Sequence, residues 1–228
     1  MENFSITGKI CVSIAAPTAV KVLELAKSAE DKADVIEIRL DSLEIPEIKA
    51  FVTEITKPIL FTNRPRWEGG NYQGEEKDRI AQFFKAIEAG AAYIDIELKT
   101  SGKYVTELIK AAELGQTKVI ISWHDFERTP KSRGLSKILF EQIRRGAHIG
   151  KIVTMADDFD DVNRVLDLID IAKKKQFPLI AFCMGDAGMM SRIATLERGG
   201  FMTYAAPDTG GGTATGQMPI AAMREIFK

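Results

Sequence analysis

Lys151 is the residue whose type is hardest to explain by packing, because in IGKIVTM (149–155) it sets a charged amine inside an apolar run. Either it is an ion-paired lysine near a rim, or it is an amine nucleophile whose pKa is lowered by burial and cationic neighbours. Keeping an amine neutral at pH 7 costs roughly 4–5 kcal/mol from an unperturbed pKa near 10.4, and a desolvated interior reduces that cost. A neutral amine and a ketone give an iminium, which accepts electron density from an adjacent carbanion. His124, in ISWHDF, is one of only two histidines and is suited to proton transfer; a satisfied structural imidazole is the plainer reading. His148, in RRGAHIG, precedes an apolar run and reads as structural.

Arg192, in GMMSRI, could hold a carboxylate between its guanidinium and free N–H groups at a helix start, or could be a surface salt bridge. The segment APDTGGGTATGQ (206–217), with three consecutive glycines, suits a mobile flap or a plain connection. It has neither the GxGxxG spacing nor the Gly-Lys-Ser/Thr ending of a phosphate cradle. A metal site would have to rest on carboxylates such as Asp95 and Glu97, and none is expected. Cys11 and Cys183 sit in apolar runs without CxxC spacing and read as buried thiols.

These residues need elements to position them. Eight β-branched runs recur, at 9–14, 34–39, 58–63, 92–97, 118–123, 149–154, 178–183 and 201–206. Between them lie helical periodicities such as Ile80, Phe83, Phe84 and Ile87, or Val162, Val165, Leu166 and Ile169. Strict strand–helix alternation implies parallel strands with right-handed crossovers and a sheet covered on both faces. A doubly wound sheet would usually have a glycine-rich turn after its first strand, but that turn reads AAPTAV, so a single-domain (β/α)₈ barrel is the expected fold. No linker interrupts the pattern, and residues 1–228 read as one domain.

In such barrels the polar residues at strand C-termini face the active site. Here they are Ser13, Glu37, Arg39, Arg64, Asp95, Glu97, His124 and Lys151. The chain has 228 residues, 45% of them hydrophobic and 28% charged, with a net charge of −1. The absence of a basic face argues against nucleic acid and anionic membrane as partners and favours small molecules. The N-terminus MENFSITGKI is not a secretory signal, no run approaches a membrane span, and a cytoplasmic location is expected.

Taken together, EIR (37–39), FTNRPRWEGG (61–70), SWHDF (122–126), KIV (151–153), SRI (191–193) and GQ (216–217) resemble the class I, Schiff-base-forming 3-dehydroquinate dehydratases along essentially the whole chain. The resemblance implies dehydration of 3-dehydroquinate to 3-dehydroshikimate in the shikimate pathway, without a cofactor, by a cytoplasmic homodimer. It implies that Lys151 is the Schiff-base lysine, His124 the general acid/base and Glu68 the carboxylate orienting it. Arg192 would hold the substrate carboxylate, and Ser13, Glu37, Arg39, Arg64 and Gln217 would line the ring and its hydroxyls. Phe126, Met184 and Tyr204 would form an apolar wall, and Thr213 stands where the family often has serine. Two other functions fit the residues: a lysine-dependent aldolase, which uses the same iminium on a carbon–carbon bond, and a non-enzymatic barrel that binds a small carboxylate.

Overall fold

The computed structural model describes residues 8–210, 212–214 and 216–228. Of the 206–217 segment, Gly211 and Thr215 lie outside the described residues, as do residues 1–7 of the N-terminal stretch.

The strands are β1 (Lys9–Ile14), β2 (Val35–Arg39), β3 (Ile59–Thr62), β4 (Tyr93–Glu97), β5 (Lys118–Asp125), β6 (Ile149–Met155), β7 (Leu179–Met184) and β8 (Met202–Ala205). The helices that alternate with them are α1 (Ala19–Ala29), α2 (Ile48–Glu54), α3 (Glu76–Glu88), α4 (Gly102–Leu114), α5 (Ser132–Arg144), α6 (Phe159–Lys174), α7 (Ser191–Glu197) and α8 (Ile220–Ile226). All eight expected strand runs are present, and β5 extends two residues past the expected end, so His124 lies within the strand. The strands pair in the parallel order β7-β6-β5-β4-β3-β2-β1-β8. At the remaining seam β7 and β8 share no ladder, and the Phe201 N–H donates to the Leu179 carbonyl at 2.8 Å. The result is a nearly closed (β/α)₈ barrel.

The period-two alternation of each strand sorts its residues into two environments. Outward residues such as Ile10, Val12, Ile36 and Ile94 pack against helix residues including Val22, Phe51, Phe83 and Leu108. Inward residues Cys11, Val35, Leu60, Ile120, Ile149 and Met202 form a separate apolar cluster, the floor of the barrel. Each fully buried side chain of this kind contributes roughly 1.5–3 kcal/mol. Two residues further along β1 to β6 the inward positions become polar, Ser13, Glu37, Thr62, Asp95, Ser122 and Lys151 all being buried, whereas β7 and β8 place Phe182 and Tyr204 there. Parallel register sets Ser13 beside Glu37, Thr62 beside Asp95 and Ser122 beside Lys151. The sheet thus carries a polar layer on an apolar floor, at the strand ends where barrel enzymes work.

Helix starts follow local signals. The Thr18 side chain accepts from the Lys21 N–H at the start of α1, and Asp158 does the same for Asp161 at α6. His148, at the floor end, accepts the Val119 N–H on Nδ1 at 3.0 Å. Both cysteines are buried and free. Among the described residues, no helix is long and apolar enough to cross a membrane.

Candidate active site

A cavity opens at the C-terminal ends of the strands, and its lining includes Lys151, His124, Glu68, Glu37, Arg39, Arg64, Arg192, Thr213 and Gln217. Of the candidates from the sequence, Ser13, Asp95 and Glu97 do not line it directly; Asp95 and Glu97 lie beneath the lining, and Ser13 touches it through two partners. The Ser13 hydroxyl donates to Glu37 Oε2 and accepts from the Thr213 hydroxyl at 2.9 Å. Glu37 Oε1 accepts from the Thr62 hydroxyl at 2.7 Å. Gln217 Oε1 accepts the Thr213 backbone N–H at 2.8 Å, so the β8–α8 segment is tied both to itself and to β1.

Lys151 is 5% exposed, and its side chain enters the barrel rather than the helix layer. The sequence favours cationic neighbours for a nucleophilic amine, but the group that meets it is an anion: Nζ donates to Asp95 Oδ2 at 2.9 Å. Nζ also lies 4.2 Å above the centre of the Tyr204 ring, a cation–π arrangement. Tyr204, expected only as apolar wall, therefore also presents a π face to charge.

Asp95 links Lys151 to a buried line of alternating charge. Its Oδ1 accepts from the Ser122 hydroxyl at 2.6 Å and lies 2.9 Å from Arg64 Nη2. Arg64 Nη1 donates to Glu97 Oε1 at 2.7 Å, and Arg79 Nη1 donates to Glu97 Oε2 at 2.6 Å. Burial alone would raise the Asp95 carboxyl, but Arg64 and Lys151 hold it well below the usual carboxylate range. Burial likewise opposes the charge on Arg64, and Asp95 and Glu97 more than offset it, so its pKa is raised. The acidic oxygens that a metal would need are thus occupied by guanidinium and ammonium groups.

Asp41, Arg79 and Ser122 went unselected in the sequence. Asp41 accepts the Arg39 side chain through both carboxylate oxygens and also the backbone N–H groups of Arg64 and Asn71, fixing Arg39 and the β3–α3 segment together. Ser122 could have been found from parity, two residues after inward Ile120 and two before His124. Arg79 adjoins the apolar stripe of α3 and gives no such signal.

The β3–α3 segment delivers Glu68 to His124. The chain turns through a short 3₁₀ turn at Arg66–Glu68 and reverses at Gly69, whose φ is 75°. A Cβ at Gly69 would come within 2.4 Å of the Phe126 ring, and one at Gly70 within 1.9 Å of the Arg64 carbonyl oxygen. The absence of a Cβ at both positions lets the segment approach Phe126 and the Arg64 backbone this closely and set Glu68 against His124. Glu68 Oε1 accepts the His124 backbone N–H at 3.1 Å and lies 2.9 Å from Nδ1. That oxygen assigns the ring proton to Nδ1 and leaves the lone pair on Nε2 for the cavity. Phe126 stacks on the imidazole, with ring centres 5.9 Å apart.

Burial, followed by the Arg64 and Lys151 cations, holds the His124 imidazole well below its usual pKa, so it is neutral at pH 7. Burial pushes the Glu68 carboxyl up to about 8 against the pull of Arg64. Glu68 Oε2 is buried and has no hydrogen-bond partner among the described residues.

The raised pKa of Glu68 means its stabilisation is complete below its unfolded value near 4.5 and is lost as pH rises through about 8. The depressed pKa of His124 works oppositely, its contribution being present above 6.5 and lost as pH falls. Of these two groups only Glu68 titrates between pH 6.5 and 8, so its ionisation should cost the free protein about 2 kcal/mol across that interval. Urea denaturation at the two pH values checks this. Glu68→Gln should remove most of the loss; the same loss in both proteins would mean that Glu68 is ionised throughout.

Arg192 is the second residue of α7 and is 2% exposed. It lies 4.5 Å over the Phe182 ring, and its Nε has no hydrogen-bond partner among the described residues. Burial lowers its pKa to about 10. The free helix N–H groups expected beside it are engaged, because Ser191, Arg192 and Ile193 donate to the Gly188, Met189 and Met190 carbonyls. The guanidinium alone therefore faces the cavity.

A (β/α)₈ barrel with a buried amine, an imidazole–carboxylate pair and an uncompensated guanidinium around one mouth cavity is the frame of a carbon–oxygen or carbon–carbon lyase. Residues 10–228 match the model of the type I 3-dehydroquinase family. The 3-dehydroquinate dehydratase of Desulfotalea psychrophila is 46% identical over 219 residues, covering 96% of both chains. Crystal structures of 3-dehydroquinate dehydratase from Geobacillus kaustophilus (25% identity, 96% of this chain and 90% of that one) and of the type I enzyme from Clostridium difficile (28% identity, 98% and 92%) both superpose with a TM-score of 0.89. The chain belongs to the type I 3-dehydroquinase family and is an enzyme of that class.

Proposed function

We propose that this enzyme dehydrates 3-dehydroquinate to 3-dehydroshikimate through a covalent imine on Lys151, with His124 as general acid and base. The observation that carries the reading is the pairing, in one cavity, of the Lys151 amine with the unpartnered Arg192 cation. A buried guanidinium without an anion is costly, and a substrate carboxylate would relieve that cost. An amine beside an anion-binding cation selects a keto acid, and 3-dehydroquinate is one.

In this reading Lys151 attacks the C3 ketone with help from His124. The neutral imidazole then takes a proton from C2, and the iminium accepts the electron pair. The C1 hydroxyl leaves with the proton His124 has gained, and water releases the product from Lys151. Glu37, Arg39, Thr213 and Gln217 contact the ring hydroxyls, Ser13 orients Glu37 and Thr213 from beneath, and Arg64 supports the site through Asp95 and Glu97. The solved Clostridium difficile relative was crystallised with covalent modified comenic acid, which accords with covalent chemistry in the family. The enzyme works in the cytoplasm as a homodimer, each chain one catalytic barrel.

Borohydride added during turnover with 3-dehydroquinate, followed by peptide mass spectrometry, should find one reduced adduct, on Lys151. An adduct on another residue, or turnover without one, would overturn the covalent route.

A further inference from the structure

Among the carboxylates in the polar layer, Asp95 is the one that touches the Lys151 nitrogen, and it lies beneath the cavity lining rather than in it. Its two oxygens have separate tasks. Oδ1 is held by Ser122 at 2.6 Å and by Arg64 at 2.9 Å, while Oδ2 is left to Nζ, also at 2.9 Å. The neighbouring carboxylates are committed elsewhere: Glu37 to Ser13 and Thr62, Glu97 to Arg64 and Arg79, Glu68 to His124. The Tyr204 ring covers the nitrogen with a π face, which attracts positive charge but is no carboxylate acceptor.

Imine formation changes what the nitrogen has to donate. An ammonium carries three N–H bonds; when it condenses with a ketone, two of those protons leave with the ketone oxygen as water and one N–H remains on the iminium. A C=N bond with a single N–H has a configuration. The acceptor that takes that N–H decides on which side of the double bond each α-carbon of the ring lies.

We propose that Asp95 is a positioning residue that fixes the configuration of the Lys151 iminium by accepting its one remaining N–H, and thereby presents one C2–H bond to His124. The proposal rests on the imine chemistry advanced above and adds a determinant of which proton is lost. Ser122 and Arg64 contribute by preventing the carboxylate from rotating. Without that anchor, rotation about the lysine's carbon chain before condensation would let either isomer form, and a misplacement on the scale of 1 Å costs on the order of 10²-fold in rate.

The test uses 3-dehydroquinate carrying deuterium at one or the other C2 position, with borohydride trapping in parallel. In the unaltered enzyme, deuterium is lost from one position and the adduct forms on Lys151. In Asp95→Asn the adduct should still form, dehydration should fall on the order of 10²-fold, and both C2 positions should lose label. Ser122→Ala, which removes one of the two bonds on Oδ1 and keeps the charge, should erode selectivity less, and it decides the matter if Asp95→Asn does not fold. Unaltered selectivity in Ser122→Ala and in any folded Asp95→Asn, at whatever rate, would overturn the proposal while leaving the imine intact. Absence of an adduct in Asp95→Asn alone would overturn it too, because Asp95 would then serve the attack step. Absence of an adduct in the unaltered enzyme would instead refute the imine reading beneath it.

Discussion

Lys151→Met should abolish the borohydride adduct and lower kcat by on the order of 10⁴–10⁶-fold, the scale seen when a covalent nucleophile is removed from an otherwise intact site. Methionine nearly fills the volume of the lysine stem, and the Asp95 carboxylate stays paired with Arg64 and Ser122, so the barrel should fold. The loss belongs to chemistry rather than to binding. Arg192 and the Ser13–Glu37–Thr213 cluster remain, so the substrate should still bind, and calorimetry of the inactive variant should return an affinity within about tenfold of the unaltered enzyme's KM. Binding lost together with turnover would mean that Lys151 works chiefly as a counter-charge for the ligand. Retained turnover would remove it from the mechanism.

Lys151 was visible in the sequence because a charge interrupts a strand of strict apolar alternation. The same alternation made the barrel legible: eight runs separated by helical periodicities leave few other parallel arrangements. Where reading failed, the missing information was three-dimensional. Period two says that Lys151 faces either the barrel or the helices, but not that its partner is Asp95, which is distant in sequence and whose selection depends on strand tilt and side-chain reach. The burial of Arg79 depends on α3 packing over the end of β4 so that Arg79 reaches Glu97, which no property of α3 announces. The helix N–H groups expected to share the load with Arg192 are consumed by tight turns at 188–194, a conformation that GMMSRI does not declare. Glu68 entered through the family motif rather than through pattern, and the means by which it reaches His124 is visible only in space. Two glycines without Cβ atoms allow the segment after β3 to pack closely on Phe126 and the Arg64 backbone.

His124→Ala should lower dehydration by about 10²–10⁴-fold, the range of general acid–base assistance, while the Lys151 adduct still accumulates, more slowly. The separation of the two readouts follows from the site. Nζ has its own partners, Asp95 and Tyr204, neither of which contacts the imidazole ring, so attack on a ketone does not require His124 to be present. Removal of the C2 proton does, because the neighbouring carboxylates are already committed: Asp95 and Glu97 to cations and Glu37 to hydroxyls. Loss of the ring also leaves Glu68 Oε1 with only a backbone donor, and Glu68→Ala, which removes that acceptor, should reproduce part of the effect through misdirection of the imidazole. Product absorbance and adduct mass, followed in the same reaction, distinguish the outcomes. Parallel loss of both would make the imidazole necessary for imine formation, and near-normal product formation would transfer proton abstraction to another group.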